Sequence, residues 1–378
     1  MTRIAVVGKG LFGVGAALHL SRAGCDVVLV GPDEPAPDVE FNGPHGAHFD
    51  EARILVARGN RSEIDLTLQT ILGIMELQEE SGEQLIQHSG SVEVLQRGEG
   101  DSQLIDGAVD VGAAAELVEI APPQGFYNPR GYVRAGVAVL ESKGASIVRH
   151  PATLVQPDRD GFSVRADEQY QVDRVVVAAG AWSNHFQQQP LALRLKREHV
   201  LFAELNESLA AAISMRPIVV HGRVGPVEDV YILPPLRYPD GRWYLKLGAN
   251  TLHDESITQD EAIDAWYLDG DSSVAEDDLV AAFLELMPEV VVEGFHTERC
   301  VITYTAHGRP YIDEVPGGVV VCVGGNGHGA SWADGAGKLA AALVTGEEWN
   351  GFDRESFRAV PDDSQVQWLR PLLMRDRG

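Results

Sequence analysis

"RIAVVGKGLFGVGAALHLSRAGCDVVLVGPDE", residues 3–34, decides the fold. A short β-branched run, Ile4 to Val7, passes through closely spaced glycines into apolar residues at helical spacing, which continue to about Arg22. A second apolar run, Val27 to Val30, completes a β-α-β unit. Gly8, Gly10 and Gly13 fit G-x-G-x-x-G, with Gly15 just beyond. Such glycines allow a tight turn, close backbone approach to a pyrophosphate, and packing of helix on strand. Leu11 and Phe12 lie between them, where a helix start turns free N–H groups and a positive dipole toward phosphates. The pattern therefore predicts a dinucleotide site. An acidic residue usually ends the second strand and holds the adenosine ribose. Gly31 stands there instead, which leaves Asp33, Glu34 or the backbone for that contact.

The chain around this unit has 378 residues, enough for two domains. Its hydrophobic fraction of 44% and mean hydropathy of −0.08 are those of a soluble globular protein. No apolar run is long enough to span a bilayer, and "MTRIAVVG" enters a strand without the pattern of a secretory signal. Three cysteines, Cys25, Cys300 and Cys322, give no paired framework, so a reducing cytoplasm is the expected location. The formal charge of −26 repels nucleic-acid phosphates and anionic membranes, and neither is an expected partner. The bland reading of this acidity is a solvated surface that favours solubility.

Downstream lies a loop, "GPHGAHFDEARI", then a helical stretch from about Ser62 to Ser81 with apolar residues at Ile64, Leu68, Ile71, Leu72 and Met75. "GYVRAGVAVLESKGASIVRH" reads as another helix and strand, with Gly144 at the helix end. "DRVVVAAGAW" is a buried parallel-type strand ending in small residues. Between about 193 and 297 alternating strands appear, "HVLFAEL", "DVYILPP" and "WYLKLGA", with a helix from about Glu276. The end returns to the first pattern: strand "GVVVCVGG", turn "NGHG", and a helix from about Asp334 to Val344. His45 and His48 have no third ligand at workable spacing, so no metal site is expected.

Four stretches carry a more specific likeness: "VVGKGLFGVGAALHL", "HFDEARI", "YLKLG" and "RCVITYTAHGRPYID" followed by "GGNGHG". With these the chain resembles the D-amino-acid-oxidase-type FAD-dependent oxidoreductase superfamily. It is nearest the monomeric sarcosine oxidase branch, which includes pipecolate and N-methyltryptophan oxidases. The resemblance spans nearly the full length. It implies an α/β fold with a discontinuous, Rossmann-like FAD-binding domain and a substrate domain whose sheet is mixed and largely antiparallel. The expected division is 1–85, 142–192 and 298–360 for the FAD domain, 86–141 and 193–297 for the substrate domain, and 361–378 as a C-terminal tail.

The resemblance also implies roles. Cys300 takes the position of a cysteine joined by a thioether to the flavin, so the FAD is expected to be covalent through it. Lys246, one of only five lysines among the thirty basic residues, takes the place of a lysine that contacts the flavin through water and stabilises superoxide. A fixed cation in a poorly solvated pocket does this far better than one in water; the competing reading of Lys246 is an edge-strand lysine reaching solvent. Arg53 matches an arginine over the flavin beside the substrate, though Asp50 and Glu51 also offer it a surface salt bridge. Tyr231 matches a tyrosine of the amine pocket, with core packing as the alternative. His328 follows a glycine-flanked histidine near the flavin, where backbone contacts alone would also serve. His48, Val148, Gly180, Trp182, Gly325, Gly327, Gly329 and Ser331 complete the implied cofactor contacts.

Three positions depart from that branch. Val56 and Ser331 stand where an arginine and a lysine grip the substrate carboxylate, and Ile302 replaces a tyrosine. Burying a carboxylate without a partner is costly, so sarcosine is not the expected substrate; Arg309 or Arg58 are candidate replacement cations. The implied activity is oxidation of a small-molecule amine or amino acid at its C–N bond, with molecular oxygen reduced to hydrogen peroxide. The alternatives are a flavin dehydrogenase using another acceptor, a flavin-binding subunit of a larger complex without its own turnover, and a nicotinamide dehydrogenase.

Overall fold

The computed structural model describes residues 1–37, 39, 41, 43–57, 59–89, 91–96, 115–120, 124–214, 218–258, 261–363, 365–369 and 371–376. The opening segment forms β1 (Arg3–Val7), α1 (Leu11–Arg22) and β2 (Asp26–Val30). β1 is the centre of a six-stranded sheet, parallel to β2 on one side and to Arg174–Val177 on the other. Ser146–Val148 lies beyond β2, Val320–Val323 beyond Arg174–Val177, and Tyr311–Glu314 pairs antiparallel at the far edge. These strands are apolar almost throughout because both their faces are covered. Ile4, Val6, Val27, Leu29 and Val176 lie under helices, whereas Ala5, Val7, Val28, Val30 and Val177 meet a small antiparallel sheet through Phe162, Val164 and Val172.

Local chemistry sets the helix starts. α2 (Arg61–Ser81) begins on a capping box between Asn60 and Glu63 and stops at Gly82 in the left-handed region. Helix Pro129–Ser142 starts on Asn128, whose side chain accepts from the Gly131 N–H, with proline at its first position. By its contacts this helix belongs with α1 and α2, upstream of the division expected at 142.

The terminal helix runs Gly329–Thr345 and so begins five residues before the expected Asp334. Its glycines are contact points and not breakers. A Cβ on Gly335 would come within 2.6 Å of Leu66 O, and one on Gly337 within 2.4 Å of Ala16 N, so their absence lets this helix press onto α2 and α1. The helix expected from Glu276 runs Ser273–Leu286, and two short helices, Glu207–Ile213 and Glu261–Asp269, were not foreseen.

The second sheet has the order Ser256–Ile257, Leu193–Leu205, Trp243–Asn250, Val227–Arg237, Ile218–Val224, Ser91–Gln96, Ala115–Ile120, with Gly294–Thr305 also paired to Leu193–Leu205. Its pairs are antiparallel except for Ile218–Val224 with Ser91–Gln96, so it is mixed and largely antiparallel as expected. Leu201, Ala203, Leu245 and Leu247 pack on Leu279 and Phe283. Alternation turns the other face, with Glu198, Val200, Tyr231 and Lys246, toward the glycine turns. β3 (Arg53–Val56) pairs antiparallel with Gln124–Tyr127 in a small sheet of its own, and Arg53 at its start lines the same cavity as Glu198, Val200 and Tyr231.

Candidate active site

One cavity of about 780 Å³ runs from the β1–α1 turn to the inner face of the second sheet. At its first end Gly8 has φ +115° and donates its N–H to Val30 O at 2.8 Å. A Cβ on Gly8 would come within 2.3 Å of Ala178 O and one on Gly13 within 1.8 Å of Gly8 O, whereas one on Gly10 would find its nearest atom at 3.6 Å. Gly8 and Gly13 close the turn; Gly10 leaves space for a ligand. α1 and Gly329–Thr345, the helices that open onto the cavity, both start without a side-chain cap. α2, Pro129–Ser142 and Glu207–Ile213 each begin instead on a capping asparagine. The uncapped first turns present N–H groups to whatever fills the cavity.

Asp33 and Glu34 both line this end, and both carboxylates are engaged. Asp33 Oδ1 is 2.5 Å from Lys9 Nζ and 2.8 Å from Arg149 Nη1. Glu34 accepts from Arg130 Nε at 2.5 Å and pairs with His48 Nε2 at 2.8 Å. Burial alone would raise both carboxyls, but Lys9 and Arg149 at Asp33, and the His48 hydrogen bond and Arg130 at Glu34, hold them below their ordinary value. Arg130 also donates to Glu51 Oε1 and lies over the Phe49 ring, which fastens the loop bearing His45 and His48. Lys9 and Arg130 were not singled out in the sequence; their signals are slight, a lysine between two motif glycines and an arginine behind a helix-opening proline.

At the other end Arg53, Tyr231, Cys300, Ile302, His328 and Ser331 share the wall with Gly180 and Trp182. Arg53 Nη1 lies 3.0 Å from Asp50 Oδ2, and Nη2 donates to Ala47 O at 3.1 Å. The pair considered a surface salt bridge in the sequence is thus buried. Asp50 holds Lys246 as well, with Nζ 2.6 Å from Oδ2, while Nζ also donates to Ala52 O at 2.5 Å. Tyr238 OH and Ala52 N donate to the other carboxylate oxygen at 2.9 and 3.2 Å. Lys246 is therefore in an interior strand and 1% exposed, which excludes a side chain reaching solvent.

Burial lowers the Lys246 ammonium to a pKa of about 8, with repulsion from Arg53 adding to the effect and Asp50 opposing it. Asp50 is held below the ordinary carboxylate value: burial would raise it, but Lys246 and Arg53 prevail. Burial pushes Tyr231 up to about 12 and the Cys300 thiol upward. A Cβ on Gly248 would come within 2.4 Å of the Tyr231 ring, so that glycine makes room for it.

Of the expected site residues, Gly8, Gly10, Leu11, Phe12, Asp33, His48, Arg53, Gly180, Trp182, Tyr231, Cys300, Gly325, Gly327, His328, Gly329 and Ser331 line this cavity. Gly13, Val148 and Lys246 lie behind its wall. Gly13 packs on Gly8, Val148 O accepts from Gly31 N at 3.1 Å, and Lys246 stands behind Arg53 on Asp50. Ser331 donates its hydroxyl to Ile54 O at 3.2 Å. Arg309 points elsewhere, with Nε on Ser356 O at 3.0 Å, and does not supply the missing cation; Arg58 lies outside the described residues.

These residues fit FAD. The open space at Gly10 and the uncapped α1 start would take the pyrophosphate, and the uncapped start at Gly329 would take the electron-rich edge of the ring. A dinucleotide laid between two helix starts, roofed at one end by a second sheet, is the arrangement of a flavoprotein oxidoreductase. The sequence agrees: residues 3–343 match the FAD dependent oxidoreductase family, and the chain belongs to it. No curated protein matches the sequence. Among solved structures, NikD, described as an unusual amino acid oxidase essential for nikkomycin biosynthesis, is 16% identical with a TM-score of 0.73, over 96% of this chain and 99% of that one. Iminodiacetate oxidase from Chelativorans sp. is 17% identical with a TM-score of 0.72, over 96% and 100%. A modified fructosyl peptide oxidase from Aspergillus nidulans is 19% identical with a TM-score of 0.75, over 94% and 93%. At these identities the likeness is one of fold.

Proposed function

We propose that this chain is an FAD-dependent amine oxidase that converts a C–N bond to an imine, which water then hydrolyses. The observation that carries the reading is the placing of Arg53, Tyr231 and Cys300 on one wall of the cofactor cavity, with Lys246 immediately behind it. FAD, held at Gly10 and at the two uncapped helix starts, would supply an acceptor for the hydride on the carbon beside the amine nitrogen and a route for its electrons to oxygen, with hydrogen peroxide as the product.

The protein's part is to hold charge in place. Lys246, with a pKa of about 8, keeps its proton at neutral pH and gives the oxygen-reducing region a fixed positive charge. Tyr231, at about 12, stays protonated and orients the amine without acting as a base. No strong base is needed if the amine enters neutral. Cys300, 6% exposed and on the wall, is the proposed tether to the flavin. The neutral Ser331 and the outward Arg309 support a substrate other than sarcosine. Cytoplasmic location is part of the proposal and rests on three unpaired cysteines.

Two measurements test this. Anaerobic mixing with a panel of secondary amines, diamines and cyclic imino acids is expected to bleach the flavin, and readmitted oxygen to restore it quickly with peroxide formed. No bleaching by any amine would overturn the oxidase reading, and sluggish return would favour another acceptor. Acid precipitation is expected to give a yellow pellet from the wild type and a yellow supernatant from Cys300→Ser.

A further inference from the structure

Charges on the cavity wall do not balance beside Cys300. Among the described lining residues the lysine and arginine side chains are Lys9 and Arg53, and the carboxylates are Asp33, Glu34, Glu198 and Asp264. Lys9 is paired with Asp33, and Arg53 is paired with Asp50 and donates to Ala47 O. Asp33 and Glu34 have Arg149 and Arg130. Asp264 is exposed on its helix and solvated.

Glu198 differs from all of these. It lies opposite Cys300 in the strand register, two residues from Val200, whose row continues through Gly248 to Tyr231. Its partner is Lys196, with Nζ 2.5 Å from Oε2, yet that oxygen is buried and in no hydrogen bond of proper geometry. The same ammonium donates to Asp254 Oδ2 at 2.9 Å and to Asn250 Oδ1 at 2.5 Å. One lysine thus serves two carboxylates whose side chains are 13% and 1% exposed. His199 Nδ1 lies 3.9 Å from Asp254 Oδ1, beyond hydrogen-bond reach. One ammonium thus faces two carboxylates, and of these three groups Glu198 is the one on the cavity wall. Burial pushes the Glu198 carboxyl upward, with Lys196 opposing, the mark of a carboxylate short of compensation.

We propose that Glu198 anchors a second, protonated nitrogen of the substrate, so that the site selects di- or polyamines over N-alkyl amino acids. This rests on the amine-oxidation reading for the nitrogen that reacts. That nitrogen must be neutral to release a hydride, while a distal ammonium on Glu198 supplies the charge the cluster lacks. A substrate carboxylate would bring a further negative charge to Glu198, whereas a distal ammonium is drawn to it. The Asp50 cluster has the opposite excess, two cations on one carboxylate, and meets the wall through Arg53.

The test uses FAD-loaded protein reduced beforehand with dithionite, so that no ligand is oxidised during calorimetric titration. Diamines from 1,3-diaminopropane to 1,6-diaminohexane are compared with n-butylamine and N-methylglycine. At least one diamine is expected to bind ten times more tightly than butylamine, and N-methylglycine more weakly than either. Glu198→Gln is expected to abolish the preference, with flavin content and melting temperature confirming a folded protein. Glu198→Asp, which keeps the charge, is expected to retain the preference and to shift the favoured chain length. Equal binding of diamine and monoamine, a preference that survives Glu198→Gln, or tightest binding of N-methylglycine would each overturn the proposal. Anaerobic bleaching in parallel separates the two ideas: preference without bleaching removes the oxidase reading alone, and bleaching by amines without preference removes the anchor alone.

Discussion

Lys246 is held between opposed influences, burial and Arg53 against Asp50, and it loses its proton near pH 8. The proposed service to oxygen needs the protonated form. Flavin reoxidation measured by stopped flow is therefore expected to slow as pH rises through about 8, and Asp50→Asn is expected to move that midpoint lower. Lys246→Met should slow reoxidation by about 100-fold, the scale of losing one preorganised electrostatic group, with reduction by amine changed only a few-fold. An equal loss in both half-reactions would remove Lys246 from the oxygen step. Asp50→Asn leaves two buried cations without their carboxylate and is expected to cost about 3–5 kcal/mol in denaturant unfolding. Lys246 was legible in the sequence as a rare lysine in an apolar run. Asp50 was visible only as a neighbour of Arg53, because sequence spacing cannot tell a buried pair from a solvated one. Glu198 was hidden further, since it stands in the run Lys196, Arg197, Glu198, His199, where nothing in the sequence shows that Lys196 and His199 are buried.

Elements were most legible where a local rule had one outcome. α1 ends at Arg22, as its apolar spacing indicated. The terminal helix was begun five residues late, since the demand for its small residues comes from α1 and α2, which lie far away in sequence. Glu207–Ile213 and Glu261–Asp269 are too short to show a period above their neighbours. The glycine turn gives a prediction at this scale. Gly13→Ala would force a Cβ to 1.8 Å from Gly8 O and is expected to yield insoluble or unfolded protein. Gly10→Ala meets nothing nearer than 3.6 Å and is expected to keep the melting temperature of the apoprotein while weakening FAD binding at least tenfold. Unchanged FAD affinity in Gly10→Ala would move the pyrophosphate away from the α1 start.

Across the whole molecule the acidity acts on stability more than on partners. A net charge of −26 repels itself in the compact state, and salt screens it. Raising NaCl from about 10 to 150 mM shortens the screening length from roughly 30 to 8 Å and is expected to raise the melting temperature; a fall would show that surface ion pairs dominate. The parallel sheet was readable because its strands are uniformly apolar, although they come from separated segments. The way the second sheet meets the first was not readable, since it depends on contacts such as Tyr238 with Asp50 across 188 positions.

That last contact limits how the protein can breathe. Tyr238 and Lys246 belong to the roof, Asp50 to the floor, and parting them would strand a carboxylate and an ammonium in an apolar seam. Gaping along this hinge line is thereby disfavoured. Passage of small molecules is thus expected to depend on side chains at the mouth of the chamber more than on separation along this seam.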